Sequence, residues 1–264
     1  MNAIDAAFAP GRTILCPFVT AGYPSLDLLG PTLTALQSAG AGCIELGIPF
    51  SDPIADGPVI QESYYRALEA GITVSRIFDA VRRARRAGLV IPLMAMTSFS
   101  IIFKIGTREF AGACRDAGFS GMVLPDLPLE EAPVVVDELS RAGLSASLLV
   151  APTTPISRRD EIVHWCTGFV YYLSVSGITG ERAQLPAGLA EKLTDIKRVT
   201  PRPICVGFGI SSPEHVRALA GRADGVIVGS ALVRRITAAV QTGMDPAEAA
   251  GRFVGELATG LVSR

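Results

Sequence analysis

The chain has 264 residues, 24 Lys+Arg against 25 Asp+Glu, 49% hydrophobic and 19% charged, which allows one large domain or two small ones at ~100–200 residues each. The near-zero net charge excludes the broad basic field of nucleic-acid and anionic-membrane binders, and the plentiful Leu, Ile, Val and Phe exclude intrinsic disorder. Apolar stretches such as Leu89 to Met96 fall well short of the ~20 residues of a membrane helix, and Met1 to Pro10 lacks the basic-then-apolar pattern of a signal peptide.

In chain order, a strand is predicted over 14–20 and a helix over 26–39. A strand over 43–47 leads into a proline-rich loop, then a helix over 74–87 and a strand over 91–97. There follow a helix over 109–117, a strand over 121–124, a helix over 130–142 and a strand over 145–150. The last strands fall at 169–173, 203–207 and 225–228, with a helix over 187–200 among them. Strands alternating with helices in this way argue for βαβ units and a parallel sheet. The dipeptides Ala39-Gly40, Ala87-Gly88, Ala117-Gly118, Ala142-Gly143 and Ala220-Gly221 each place a glycine where a helix must stop before the next strand. Eight such units over about 250 residues match an α/β fold of the (β/α)8 TIM barrel type, in a single domain over 1–264. A doubly wound sheet fits less well, because Thr20-Ala21-Gly22-Tyr23-Pro24 after the first strand is not a dinucleotide-binding fingerprint.

In such a barrel the reactive side chains stand at the C-terminal ends of strands. Along the second strand Ile44, Leu46 and Ile48 share one face and must meet the helix layer, so Cys43, Glu45 and Gly47 point inward. A carboxyl there, without a basic neighbour, is expected to titrate high and to serve in proton transfer. Asp52 and Asp56 in the next loop read equally well as turn formers or as a second carboxylate over the same mouth. Gly207-Phe208-Gly209-Ile210-Ser211 after strand seven and Gly229-Ser230 after strand eight stand where barrels of this type bind phosphate. Residues 174–181 read as a small-residue lid.

Other chemistries find little support. The three lysines Lys104, Lys192 and Lys197 fall away from strand ends, as a Schiff base would not allow. His164 and His215 lie on predicted helices and do not make a metal cluster, so no metal is expected. The cysteines Cys16, Cys43, Cys114, Cys166 and Cys205 include no CxxC and read as reduced, buried thiols of a cytoplasmic protein. Arg82, Arg83, Arg85 and Arg86 read as a solvated helix face. Metal-free acid–base chemistry on a small phosphorylated substrate is what remains.

The segment Glu45-Leu46-Gly47-Ile48-Pro49-Phe50-Ser51-Asp52-Pro53-Ile54-Ala55-Asp56-Gly57-Pro58 closely resembles the signature of the tryptophan synthase alpha subunit family. Pro17-Phe18-Val19-Thr20-Ala21-Gly22, Pro125-Asp126-Leu127-Pro128, Ser176-Gly177-Ile178-Thr179-Gly180, Gly207-Phe208-Gly209-Ile210-Ser211 and Gly229-Ser230 resemble the same family in the same order. The resemblance implies a lyase of tryptophan biosynthesis that cleaves indole-3-glycerol phosphate to indole and glyceraldehyde 3-phosphate. It implies a beta-subunit partner in an alpha2beta2 tetramer, with pyridoxal phosphate in that partner and no cofactor in this chain. Carried over by position, Glu45 is the general acid/base and Asp56 the partner of the indole N–H. Phe18, Tyr171, Thr179 and Phe208 are then substrate contacts, Gly180, Gly209, Gly229 and Ser230 bind phosphate, and Asp52, Pro53 and Pro128 meet the beta subunit. Met96-Thr97-Ser98-Phe99-Ser100 departs from the family's Met-Thr-Tyr-Tyr-Asn, removing a hydrogen-bonding pair beside the expected partner surface. A stand-alone lyase that releases free indole, and a weakly catalytic protein that activates a partner, are the alternative readings.

Overall fold

The computed structural model describes residues 3–9, 11–173, 188–207 and 209–261. Its eight strands are β1 (Ile14–Thr20), β2 (Ile44–Gly47), β3 (Leu93–Met96), β4 (Gly121–Leu124), β5 (Ser145–Val150), β6 (Val170–Leu173), β7 (Ile204–Gly207) and β8 (Gly225–Val228). They pair in sequence order, all parallel, and β8 closes on β1 to form a barrel. The expected (β/α)8 architecture is therefore the observed one.

Among the described residues the helices are α1 (Ala3–Ala7), α2 (Leu29–Ser38), α3 (Pro58–Glu69), α4 (Val74–Arg86), α5 (Phe99–Ile105), α6 (Thr107–Ala117) and α7 (Ala132–Arg141). They continue as α8 (Ile156–Trp165), α9 (Leu189–Lys197), α10 (Pro213–Leu219), α11 (Ser230–Thr242) and α12 (Pro246–Ala258). Gly40, Gly88, Gly118, Gly143 and Gly221 all adopt positive φ, so the repeated Ala-Gly dipeptide marks the helix-to-strand turns as its chemistry requires.

Side-chain alternation divides the apolar core in two. Ile44, Leu46 and Ile48 join Leu33, Leu36 and Ile77 between the strands and the helices. Cys16, Phe18, Cys43, Met94, Phe169, Tyr171, Cys205 and Ile227 fill the barrel interior, together with Ile60 and Tyr64 of α3. Strands of four to seven residues suffice, because each contributes only a few inward positions to this stack.

One arginine corrects the sequence reading. Arg85 is not solvated: its guanidinium donates to the carbonyls of Gly118, Leu89 and Ile91 at 2.7–3.0 Å. It satisfies carbonyls at the turns feeding β3 and β4, which a helix-surface charge pattern does not reveal. Arg82 behaves as expected and pairs with Asp79 on the surface.

Candidate active site

The site grows out of β2. Glu45 lies in register with Phe18 on β1 and Met94 on β3, so the strands flanking it offer apolar side chains only. Its carboxyl is fully buried, and neither oxygen has a hydrogen-bond partner among the described residues. Burial, then the nearby charge of Asp56, pushes its pKa up to about 8. The inward orientation and the raised titration both follow from the strand alternation that the sequence carries.

Asp56 arrives from the loop after β2. That loop is braced from within α3, where Gln61 Nε2 donates to the carbonyls of Pro53 and Asp56. The Asp56 N–H donates to the Pro53 carbonyl at 3.1 Å, folding the aspartate back over the barrel. Its side chain is buried, and desolvation raises its pKa to about 7. Asp52 stays exposed, Pro53 is half-buried and Pro128 is exposed. The two aspartates that sequence spacing left equivalent are thus separated by burial.

The next strand ends differently from the family pattern, yet its hydrogen bonding is not lost. Ser98 Oγ donates to Asp126 at 2.6 Å, and the Phe99 N–H donates to the same carboxylate at 2.8 Å. Asp126 thereby ties the start of α5 to the turn after β4. Asp56, Tyr64, Met96 and Ser98 line a small cavity of about 20 Å³, room for roughly one water.

Across the mouth, Tyr171 on β6 is buried with its ring against the space above Gly207. A Cβ on that glycine would lie 2.8 Å from the tyrosine ring and 3.0 Å from its hydroxyl. Gly209 takes φ +22°, a conformation side chains other than glycine's rarely adopt. Gly229 precedes α11, whose first turn has no side-chain cap, and Ser230 at its start is buried. The uncapped N–H groups of that turn face the C-terminal end of the barrel and suit an oxyanion. Thr179 and Gly180, with the rest of the expected lid, and Phe208 lie outside the described residues.

Phe18 connects these two ends. A Cβ on Gly229 would lie 3.9 Å from Phe18 Cβ, and a Cβ on Gly47 would lie 2.5 Å from Phe18 Cζ. Glu45, Asp56, Phe18, Tyr171, Gly229 and Ser230 therefore gather at one mouth. Sequence reasoning passed over Tyr64, whose hydroxyl would also lie 2.5 Å from a Gly47 Cβ. The signal was present as an apolar-face spacing of Ile60, Ser63, Tyr64 and Ala67, the buried residues of α3. The histidines stand apart: His164 is exposed beside Trp165, and His215 accepts from the Ser211 N–H at 3.4 Å.

Comparison with known proteins gives a uniform result. The family model described as tryptophan synthase alpha chain matches residues 4–261. The tryptophan synthase alpha chain of Rhodopirellula baltica is 42% identical over 256 residues, covering 95% of this chain and 92% of its own. That of Picosynechococcus is 44% identical over 227 residues, covering 86% of each. Among solved structures, tryptophan synthase subunit alpha from Legionella pneumophila aligns with TM-score 0.90 at 35% identity, over 99% of this chain and 98% of its own. A chain of Mycobacterium tuberculosis tryptophan synthase aligns with TM-score 0.86 at 33% identity, over 98% and 96%.

Proposed function

The chain belongs to the tryptophan synthase alpha chain family, and we propose that Glu45 and Asp56 carry out the family's lyase reaction at this mouth. That reaction cleaves indole-3-glycerol phosphate into indole and glyceraldehyde 3-phosphate, a step of tryptophan biosynthesis. The observation that carries the assignment is Glu45 itself, a fully buried carboxyl in the barrel mouth whose two oxygens have no partner among the described residues.

Breaking the carbon–carbon bond needs a proton delivered to indole C3 and another removed from the neighbouring glycerol hydroxyl. Glu45, titrating near 8, enters the neutral-pH reaction protonated and can give the first proton. The resulting carboxylate can accept the second. Protonated C3 leaves positive charge on the indole nitrogen, and an ionised Asp56 beside that N–H stabilises it. Ionised Asp56 also favours the protonated form of Glu45, so as pH rises Asp56 gives up its proton before Glu45 does. Each positioned proton transfer contributes ~10²–10⁴-fold, about 3–5 kcal/mol of barrier.

Phe18 and Tyr171 wall the indole, joined in this reading by Thr179 and Phe208. The turn at Gly229 and Ser230, with Gly209 and Gly180, takes the phosphate. Partner docking is assigned to the rim around Asp52, Pro53 and Pro128. Its support is a set of exposed apolar side chains at the same end of the barrel: Ile54 in the loop after β2, Phe103 on α5, and Val134 and Ile156 in the first turns of α7 and α8. The occupant is the beta subunit, in an alpha2beta2 assembly, and pyridoxal phosphate is that subunit's cofactor rather than this chain's. The five buried, unbridged cysteines suit a cytoplasmic site of action.

The test is indole release from indole-3-glycerol phosphate by wild type and Glu45→Gln, with and without beta subunit. Wild type is expected to turn over, and the near-isosteric glutamine, which cannot titrate, to lose at least ~10²-fold. A glutamine variant within a few-fold of wild type would remove Glu45 from the mechanism. A wild type inactive under both conditions would remove the lyase assignment.

A further inference from the structure

Tyr64 is 3% exposed, and its side chain lines the small cavity at the mouth together with Asp56 and Met96. The polar tip of a largely buried tyrosine ordinarily serves a hydrogen-bond partner. Packing alone does not explain the hydroxyl, since the ring contacts are apolar: the Phe18 ring sits 6.4 Å away at 52°.

The position of α3 gives the hydroxyl a direction. Ile60 Cδ1 lies 3.5 Å from where a Gly229 Cβ would stand, at the phosphate turn. One helical turn later, Tyr64 Oη reaches Gly47, directly above Glu45 on the inner face of β2. The helix is fixed there by the 2.6 Å hydrogen bond between Thr20 and Ser63, the residue preceding the tyrosine. α3 and Phe18 therefore run side by side from the anion end of the mouth to the acid end. A substrate with phosphate at one end and its scissile bond at the other must lay its polyol carbons along that path.

We propose that the Tyr64 hydroxyl is a substrate-positioning group that hydrogen-bonds a hydroxyl of the phosphorylated glycerol chain beside Glu45. The inference rests on the phosphate and acid assignments above. It adds a third polar contact, one that holds the chain where the proton is taken.

The test compares two ligands, glycerol 3-phosphate and n-propyl phosphate, which share a phosphate and three carbons but differ in hydroxyls. Binding to the full chain is measured by titration calorimetry for wild type and Tyr64→Phe, with thermal melts as a check on folding. Wild type is expected to prefer glycerol 3-phosphate. Tyr64→Phe should weaken glycerol 3-phosphate about three- to tenfold, the range of a single neutral hydrogen bond, and leave propyl phosphate within twofold. In the condensation direction the same variant should raise KM for glyceraldehyde 3-phosphate while leaving that for indole unchanged. Equal losses on both phosphates, or loss on neither, would overturn the proposal, as would a wild type with no preference between them. A wild type that binds neither phosphate and releases no indole would instead overturn the reading of the site on which the proposal stands.

Discussion

Cys43, the residue before β2, and Glu45 within it are both fully buried toward the barrel interior, and their surroundings could hardly differ more. Below, the Cys43 thiol donates to the Ile44 carbonyl, and Cys16, Cys205, Phe169 and Phe8 pack beneath it. Above, the Glu45 oxygens meet no partner among the described residues, although the burial is just as deep. Depth inside a barrel therefore does not separate packing from chemistry. Hydrogen-bond satisfaction does: the lower level holds weakly polar thiols, whereas the upper level holds two carboxyl oxygens with no partner among the described residues.

This contrast has consequences for stability as well as activity. The unfolded chain releases the Glu45 proton near the usual 4.5, while the folded chain holds it to about 8. Between those limits the native state binds more protons, so stability falls as pH rises, by about 1.4 kcal/mol per pH unit for each such group. Over that window the loss amounts to several kcal/mol at most. Denaturant midpoints measured from pH 5 to pH 9 should therefore decline for wild type and decline less for Glu45→Gln. Parallel curves for the two proteins would mean that the carboxyl is already ionised in the fold.

A pair of glycines sharpens the comparison further. A Cβ on Gly47 would stand 2.5 Å from the Tyr64 hydroxyl and Phe18 Cζ, and one on Gly225 would stand 2.5 Å from Cys205 Sγ. Both alanine substitutions overpack the interior and should destabilise by about 1–3 kcal/mol. Only Gly47→Ala displaces mouth residues, so only it should also reduce indole release, by roughly tenfold at the level of a misplaced binding group. Comparable activity losses in both variants would dissolve the distinction between the two levels. Cys43→Ala is the mildest change, expected to cost about 1–2 kcal/mol of stability with kcat/KM unaltered once the protein is folded.

Much of this arrangement is legible in the amino-acid sequence. The period-2 pattern of Ile44, Leu46 and Ile48 left Glu45 no direction but inward, and the Ala-Gly dipeptides placed five helix stops. Asp56 was legible only as one of two loop aspartates, because proline and aspartate make turns whether or not a carboxylate is buried. What selected it was Gln61 bracing the loop from α3, a contact between side chain and backbone that no local pattern encodes. Tyr64 was hidden beside Tyr65, identical in composition and opposite in environment, one buried and one exposed. Arg85 misled because its partners are carbonyls brought together by the β3 and β4 turns rather than acids at helical spacing.

The most direct test of the account is the titration of Glu45 itself, followed by the carboxyl signal in ¹³C NMR of glutamate-labelled protein and assigned by its disappearance in Glu45→Gln. The burial and the Asp56 charge predict a midpoint near 8. A midpoint at the usual 4.5 would show a solvated or paired carboxylate, and Glu45 could not then bring a proton to the indole ring at neutral pH.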